Sequence, residues 1–254
     1  MSARRPRTRV AAVAGATVIA AALGGGCGGD SHEPATPTAT STAAPASTPP
    51  RPLDHCDSAG PGWRTLPTSG AVAAHMGRGD MGVVFVNDSV DDACEWAAEA
   101  RALARRGYAV AVFLNAGGDE SRQAVGVGAA LRANGAPRIV LIGASVGARA
   151  VLQAGARHPR GVVGLVALSA ERRVTSSPSD LLPVARRVRV PVLSVGSRGD
   201  PLTNWGKDTI AWDRTIPRDR LLLLGGGRHG ADLLAGRNGP RVRAEILRFL
   251  RSVG

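Results

Sequence analysis

Residues 138–150 read RIVLIGASVGARA. The apolar run Ile139 to Ile142 suits a parallel strand covered on both faces. A tight turn follows at Gly143-Ala144-Ser145-Val146-Gly147, and an Ala/Leu/Val-rich stretch with helical spacing continues to about Arg157. Strand, G-x-S-x-G and helix in that order describe a nucleophile elbow, whose sharp turn lifts a serine hydroxyl above the sheet. Gly143 and Gly147 stand where side chains would collide with the neighbouring strand and helix. Ser145 would sit at a helix N-terminus, where free backbone N–H groups favour a developing negative charge. A dinucleotide-binding turn is the competing reading of such a segment, but its glycines run G-x-G-x-x-G, and these run G-x-x-x-G.

Strand and helix signals alternate on both sides of the elbow. Ala71–Met76 reads as an early edge strand, and Gly82–Asn87 (GVVFVN) as a buried one. Asp91–Arg106 is an amphipathic helix with an acidic first turn and a basic last one. Further strands are expected at Tyr108–Leu114, Gly161–Leu168, Pro191–Val195 and Leu221–Leu224. Helices are expected at Glu120–Ala133, Leu181–Val188, Asp208–Arg214 and Pro240–Arg251. This alternation implies an α/β fold with a doubly wound, mostly parallel sheet. Active sites of such sheets lie beyond the carboxyl ends of the strands.

Two loops in that position offer partners for Ser145. Gly196-Ser197-Arg198-Gly199-Asp200-Pro201 puts a carboxylate just after a strand, and Gly225-Gly226-Gly227-Arg228-His229-Gly230 puts an imidazole in a glycine-rich loop. A serine hydroxyl is a poor nucleophile until a neutral imidazole takes its proton, and a carboxylate fixes the imidazole tautomer and stabilises the cation that forms. Ser145, Asp200 and His229 occur in the chain order that an elbow-type triad requires. Glu171, one strand earlier than Asp200, is the alternative acid.

On these features residues from about 70 to 254 resemble an α/β-hydrolase of the small, dienelactone-hydrolase-like or serine-esterase kind. The resemblance rests on GASVG at the elbow, the GSRGDP acid loop, the RHG histidine loop, and GVVFVNDS followed by a helix. It implies the α/β-hydrolase fold and an oxyanion hole built from the N–H groups of Val146 and Ser89. The turn that carries Ser89 reads Asn87-Asp88-Ser89, with Asp88 where the family usually has glycine. Only about twenty residues separate the strand ending at Leu168 from the one starting at Pro191, too few for a large cap domain. An open site for short or polymer-borne esters is therefore expected.

The N-terminal part reads differently. Residues 1–26 pair a basic stretch, Met1–Arg9, with an apolar one, Val10–Leu23, too short to span a bilayer and of signal-peptide length. Leu23-Gly24-Gly25-Gly26-Cys27 resembles a bacterial lipobox, although leucine stands four residues before the cysteine instead of three. It implies lipidation of Cys27 and a lipoprotein on the outer face of the cell membrane, with simple secretion as the alternative. Residues 27–52 are Ser/Thr/Ala/Pro-rich and bury too little apolar surface to fold, so they read as a disordered tether to a domain spanning 53–254. In an exported chain Cys56 and Cys94 are expected to pair.

The 254 residues carry a formal charge of +12, with every basic residue except Lys207 an arginine. Such a surplus suits an anionic envelope surface. No basic recognition helix, finger or RNP-like motif points to nucleic acid. No H-E-x-x-H, C-x-x-C pair or EF-hand loop is present, so neither metal nor cofactor is implied. The combined expectation is a lipid-anchored serine hydrolase acting on carboxylic esters or related acyl compounds. A catalytically inactive hydrolase fold that binds an envelope component is the alternative, prompted by Asp88. A nucleotide-binding domain with Glu171 as ribose carboxylate is a third reading.

Overall fold

A computed structural model describes residues 52–56, 59–88, 92–115, 117–174 and 179–254. The expected signal segment, Cys27, the tether up to residue 51 and Ser89 lie outside the described residues. Eight strands form one sheet: β1 Arg64–Leu66, β2 Ala71–Met76, β3 Met81–Val86, β4 Ala109–Asn115, β5 Arg138–Ala144, β6 Val162–Leu168, β7 Val192–Ser197 and β8 Asp219–Leu224. Their order is β1-β2-β4-β3-β5-β6-β7-β8. The first two pairings, β1 with β2 and β2 with β4, are antiparallel and the rest are parallel. The chain thus starts at one edge, crosses to the middle at β3, and winds outward to β8.

Strands β3 to β7 are apolar on both faces because helices cover both sides. Along β3 the alternation is direct. Val83 and Phe85 pack with α1 (Ala97–Ala104) and α6 (Gly239–Ser252), while Val84 and Val86 face α2 (Glu120–Ala133) and α3 (Val146–Gly155). Two fully buried tryptophans serve the two layers. Trp96 stacks on Phe85 with ring centroids 4.8 Å apart. Trp212, on α5 (Lys207–Thr215), donates its indole N–H to the Ala170 carbonyl at 2.8 Å, just beyond β6. The connection from β6 to β7 holds only one short helix, α4 (Leu182–Ala185). Among the described residues no helix is long and apolar enough to cross a membrane.

Two expectations are corrected. Ala71–Met76 is a strand, but not an edge: β1 pairs outside it, Arg64 opposite His75. β1 is only three residues long with one buried side chain, so it carries no periodic signal. The helix expected from Asp91 begins later. Cys94–Trp96 form a 3-10 turn, and α1 starts at Ala97. The physical reason lies at the cysteine: Cys94 is bonded to Cys56, with Cα atoms 5.5 Å apart, which ties the first turn to the segment before β1.

Cross-linking positions 38 apart removes loop entropy from the unfolded chain. The double substitution Cys56→Ser, Cys94→Ser should therefore lower the unfolding free energy by roughly 2–4 kcal/mol in urea denaturation. An unchanged midpoint and slope would show that these thiols do not cross-link the purified protein.

Candidate active site

Ser145 follows β5 directly and takes a positive-φ backbone conformation outside the standard regions, φ 48° and ψ −111°. That conformation is costly for a residue with a Cβ and persists only when its surroundings hold it. Two glycines provide the hold. A Cβ on Gly143 would lie 2.3 Å from the Gly147 carbonyl oxygen, and a Cβ on Gly147 would lie 2.3 Å from the Asn87 carbonyl oxygen. With hydrogen in both places α3 closes against the ends of β3 and β5, and the Ser145 hydroxyl is thrown above the sheet. Val146 is the first residue of α3, so its N–H has no partner within the helix.

The acid comes from the turn after β7. Asp200 is completely buried, yet both carboxylate oxygens are used: Oδ1 accepts the Leu202 N–H at 3.0 Å, and Oδ2 faces His229 Nδ1 at 2.7 Å. The turn is locked to the neighbouring loop by the Gly199 N–H, which donates to the Gly226 carbonyl at 2.8 Å. The histidine loop follows β8, and Leu233 and Leu234 anchor its far end in the core. His229 Nε2 lies 2.8 Å from Ser145 Oγ. With Nδ1–H donated to the carboxylate, Nε2 is the acceptor and the serine hydroxyl the donor. Serine, imidazole and carboxylate from three separate loops thus form one continuous chain of hydrogen bonds.

Glu171 is also brought to this point. Its Oε1 lies 3.5 Å from Ser145 Oγ and 3.9 Å from His229 Nε2. Asp200, not Glu171, meets Nδ1, so Glu171 does not take the position of the third triad member. Burial raises the Glu171 carboxyl above the usual carboxylate range, and the His229 and Arg149 charges only partly oppose this. Ser145 is 8% exposed beneath these two side chains. The site is therefore more covered than the short β6–β7 connection suggests.

The turn after β3 holds the second departure from simple expectation. The Asp88 N–H donates to Glu95 Oε1 at 2.7 Å, so this amide is engaged. The Asp88 carboxylate points to the histidine loop, with Oδ2 2.8 Å from where a Gly230 Cβ would stand. Burial pushes the Glu95 carboxyl up to about 8; the Asp88 N–H opposes this and the Asp88 carboxylate adds to it. A cleft of about 530 Å³ opens here, lined by His229, Asp88, Glu95, Asp232 and Arg243 among others. A second of about 470 Å³ runs along α3 from Val146 past Arg149 to Arg157. The residues missed from sequence are Glu95 and Arg149. Arg149 had a usable signal, lying one helical turn after Ser145 on the same face. His75, by contrast, is a buried strand residue against Asn134.

His55, Cys56, Asp92 and Cys94 bring potential metal-ligand atoms within 4.8 Å of one another, but both sulfurs are committed to the disulfide. No protein-family model and no curated protein sequence matches the chain. Solved structures do. A monoacylglycerol lipase from Paleococcus ferrophilus superposes with a TM-score of 0.61 at 14% identity, over 72% of this chain and 99% of that one. A thermophilic esterase from Thermogutta terrifontis gives 0.60 at 14% identity, over 76% and 99%. A proline iminopeptidase from Mycobacterium smegmatis gives 0.59 at 14%, over 75% and 98%.

Glu95 supplies a test of the charge arrangement. With a carboxyl raised from about 4.5 to about 8, the folded state holds a proton that the unfolded chain has lost, so stability falls as pH rises through that window. Glu95→Gln removes this dependence. Between pH 5 and 8 the variant should gain on the parent by roughly 1–3 kcal/mol in urea denaturation. Parallel pH profiles would mean that Glu95 ionises normally. The sheet order, the elbow and the matching solved structures together identify this chain as having the α/β-hydrolase fold.

Proposed function

We propose that this protein is a serine hydrolase that cleaves carboxylic esters or related acyl compounds through an acyl-Ser145 intermediate. The observation that carries the reading is the pair of contacts at His229, 2.8 Å to Ser145 Oγ and 2.7 Å to Asp200 Oδ2. His229 Nε2 takes the hydroxyl proton as Oγ attacks the acyl carbon, and Asp200 stabilises the imidazolium. The carbonyl oxygen, now negative, is stabilised by the Val146 N–H and the field of the α3 N-terminus. Ser89, outside the described residues, is proposed as the second donor. Collapse expels the alcohol, protonated by His229, and water activated by the same imidazole releases the acid.

A fluorophosphonate probe should label Ser145, and Ser145→Ala should abolish labelling. Asp200→Asn should slow labelling by roughly a thousandfold or more, because the imidazole loses its required tautomer. A folded parent protein that stays unlabelled would rule the enzyme reading out. One observation favours a second reading, an inactive fold that binds an envelope ester: the Asp88 N–H is engaged by Glu95, so the turn that should complete the oxyanion hole has one amide fewer to offer. In that case p-nitrophenyl butyrate turnover would equal the Ser145→Ala background.

We also propose that Cys27 carries a lipid that holds the domain at the outer face of the cell membrane. The reading is supported by the small residues before Cys27, the apolar stretch before them and the Pro/Thr-rich segment after. Expressed in a bacterial host, the full chain should partition into a detergent phase, and Cys27→Ala should move it to the aqueous phase. Equal partition of the two would leave no role for this cysteine as an anchor.

A further inference from the structure

Glu171 is a carboxylate that the Ser145–His229–Asp200 chemistry does not use and, at first sight, should not tolerate. Its Oε1 is 3.5 Å from the nucleophile. The serine has one proton to donate, and the shorter 2.8 Å contact to His229 Nε2 takes it. Among the described residues Oε1 then has no protein donor other than that shared hydroxyl and the loose contact to His229. The nearest basic groups do not replace it. Arg149, itself buried, donates its Nη1 to the Glu171 backbone carbonyl at 2.7 Å and not to the carboxylate. Among the described residues His229 is the carboxylate's one ion-pair partner, at a loose 3.9 Å. In an ester hydrolase an ionised carboxylate here faces the oxyanion as a like charge in a poorly solvated site.

The position is nevertheless built. Ser169, just before it, has φ 53° and turns the chain off the end of β6. Three successive residues are then pinned from two helices. The Trp212 indole donates to the Ala170 carbonyl, the Arg149 guanidinium donates to the Glu171 carbonyl, and the Arg172 N–H donates to Asp208 Oδ2 at 2.9 Å. The backbone here is held firmly, and the carboxylate it carries stands 3.5 Å from the nucleophile with His229, at 3.9 Å, as its ion-pair partner, a place that suits a cationic group of a ligand. With Oε1 3.5 Å from Oγ, a substituent on the carbon next to an acyl group on Ser145 can approach this carboxylate.

Resting on the Ser145 reading above, we infer that Glu171 is a specificity residue that selects acyl groups carrying a positive charge next to the scissile carbonyl, as in esters or amides of α-amino acids. An α-ammonium there makes a charge-assisted hydrogen bond to the carboxylate and removes its repulsion of the oxyanion. A neutral acyl group does neither.

The test uses two p-nitrophenyl esters of one shape, alaninyl and isobutyryl, in which –NH₃⁺ and –CH₃ exchange places. At about pH 6 the α-amine is protonated. The parent protein should show kcat/KM at least tenfold higher for the alaninyl ester. Glu171→Gln should lower the ratio of the alaninyl to the isobutyryl kcat/KM tenfold or more relative to the parent. Equal use of both esters by the parent would overturn the inference without need of any variant. A parallel fall for both esters in Glu171→Gln would overturn it too, and would assign Glu171 to support of His229 instead. Fluorophosphonate labelling of the same parent sample separates the two levels: a labelled protein without the preference loses only this inference, whereas an unlabelled one loses the Ser145 reading as well.

Discussion

The strained backbone of Ser145 is the constraint on which the rest of the molecule turns. A serine at φ 48° is not a conformation that local preferences would choose. It is enforced by the close approach of α3 to the ends of β3 and β5, which only glycine permits at 143 and 147. Were either to carry a Cβ, α3 would have to move away from residue 143 or from the Asn87 carbonyl, and the hydroxyl would leave its place under His229. The same turn starts α3 at Val146, so the positive end of that helix lies directly after Ser145. One packing contact thus sets the place of the serine hydroxyl and of the α3 N-terminus together.

Around that hydroxyl the fold distributes carboxyl groups with unlike environments. Asp200 is fully buried but satisfied, one oxygen by a backbone amide and the other by the imidazole it orients. Glu95 and Asp88 sit together behind the histidine loop, where burial pushes Glu95 up to about 8. Glu171 is held over the serine by its backbone, with its carboxylate left short of donors. Partial burial raises its carboxyl above the usual carboxylate range, which the His229 and Arg149 charges only partly oppose. The three cases differ in burial and in which donors reach each carboxylate.

The apolar frame is what makes the polar arrangement rigid. Trp96 against Phe85 closes one layer, and Trp212 closes the other while reaching across to the carbonyl before Glu171. Trp96 and Trp212 are fully buried near the ends of strands, where they brace the adjoining segments. The disulfide adds a tie at the start of α1, close in sequence to the Asp88 turn.

Much of this was legible in the residues alone, because the signals are local. Unbroken apolar runs marked β3, β5 and β6, and helical spacing marked α2 with the limits the structure has, Glu120–Ala133. The elbow spacing and the order of serine, aspartate and histidine pointed to the loops that the structure brings together at 2.8 and 2.7 Å. Other features had no local signature. β1 is too short to show a period, and the start of α1 depends on a cysteine 38 positions away. Whether Glu171 meets Nδ1 or Oγ, whether Asp88 keeps its amide free, and how far Ser145 is covered all depend on which side chains converge from distant segments. Sequence pattern determined the elements and the kinds of residue at their ends; tertiary packing alone decided which donors reach which carboxylates, since burial and hydrogen-bond partners are properties of a place in space and not of a stretch of chain.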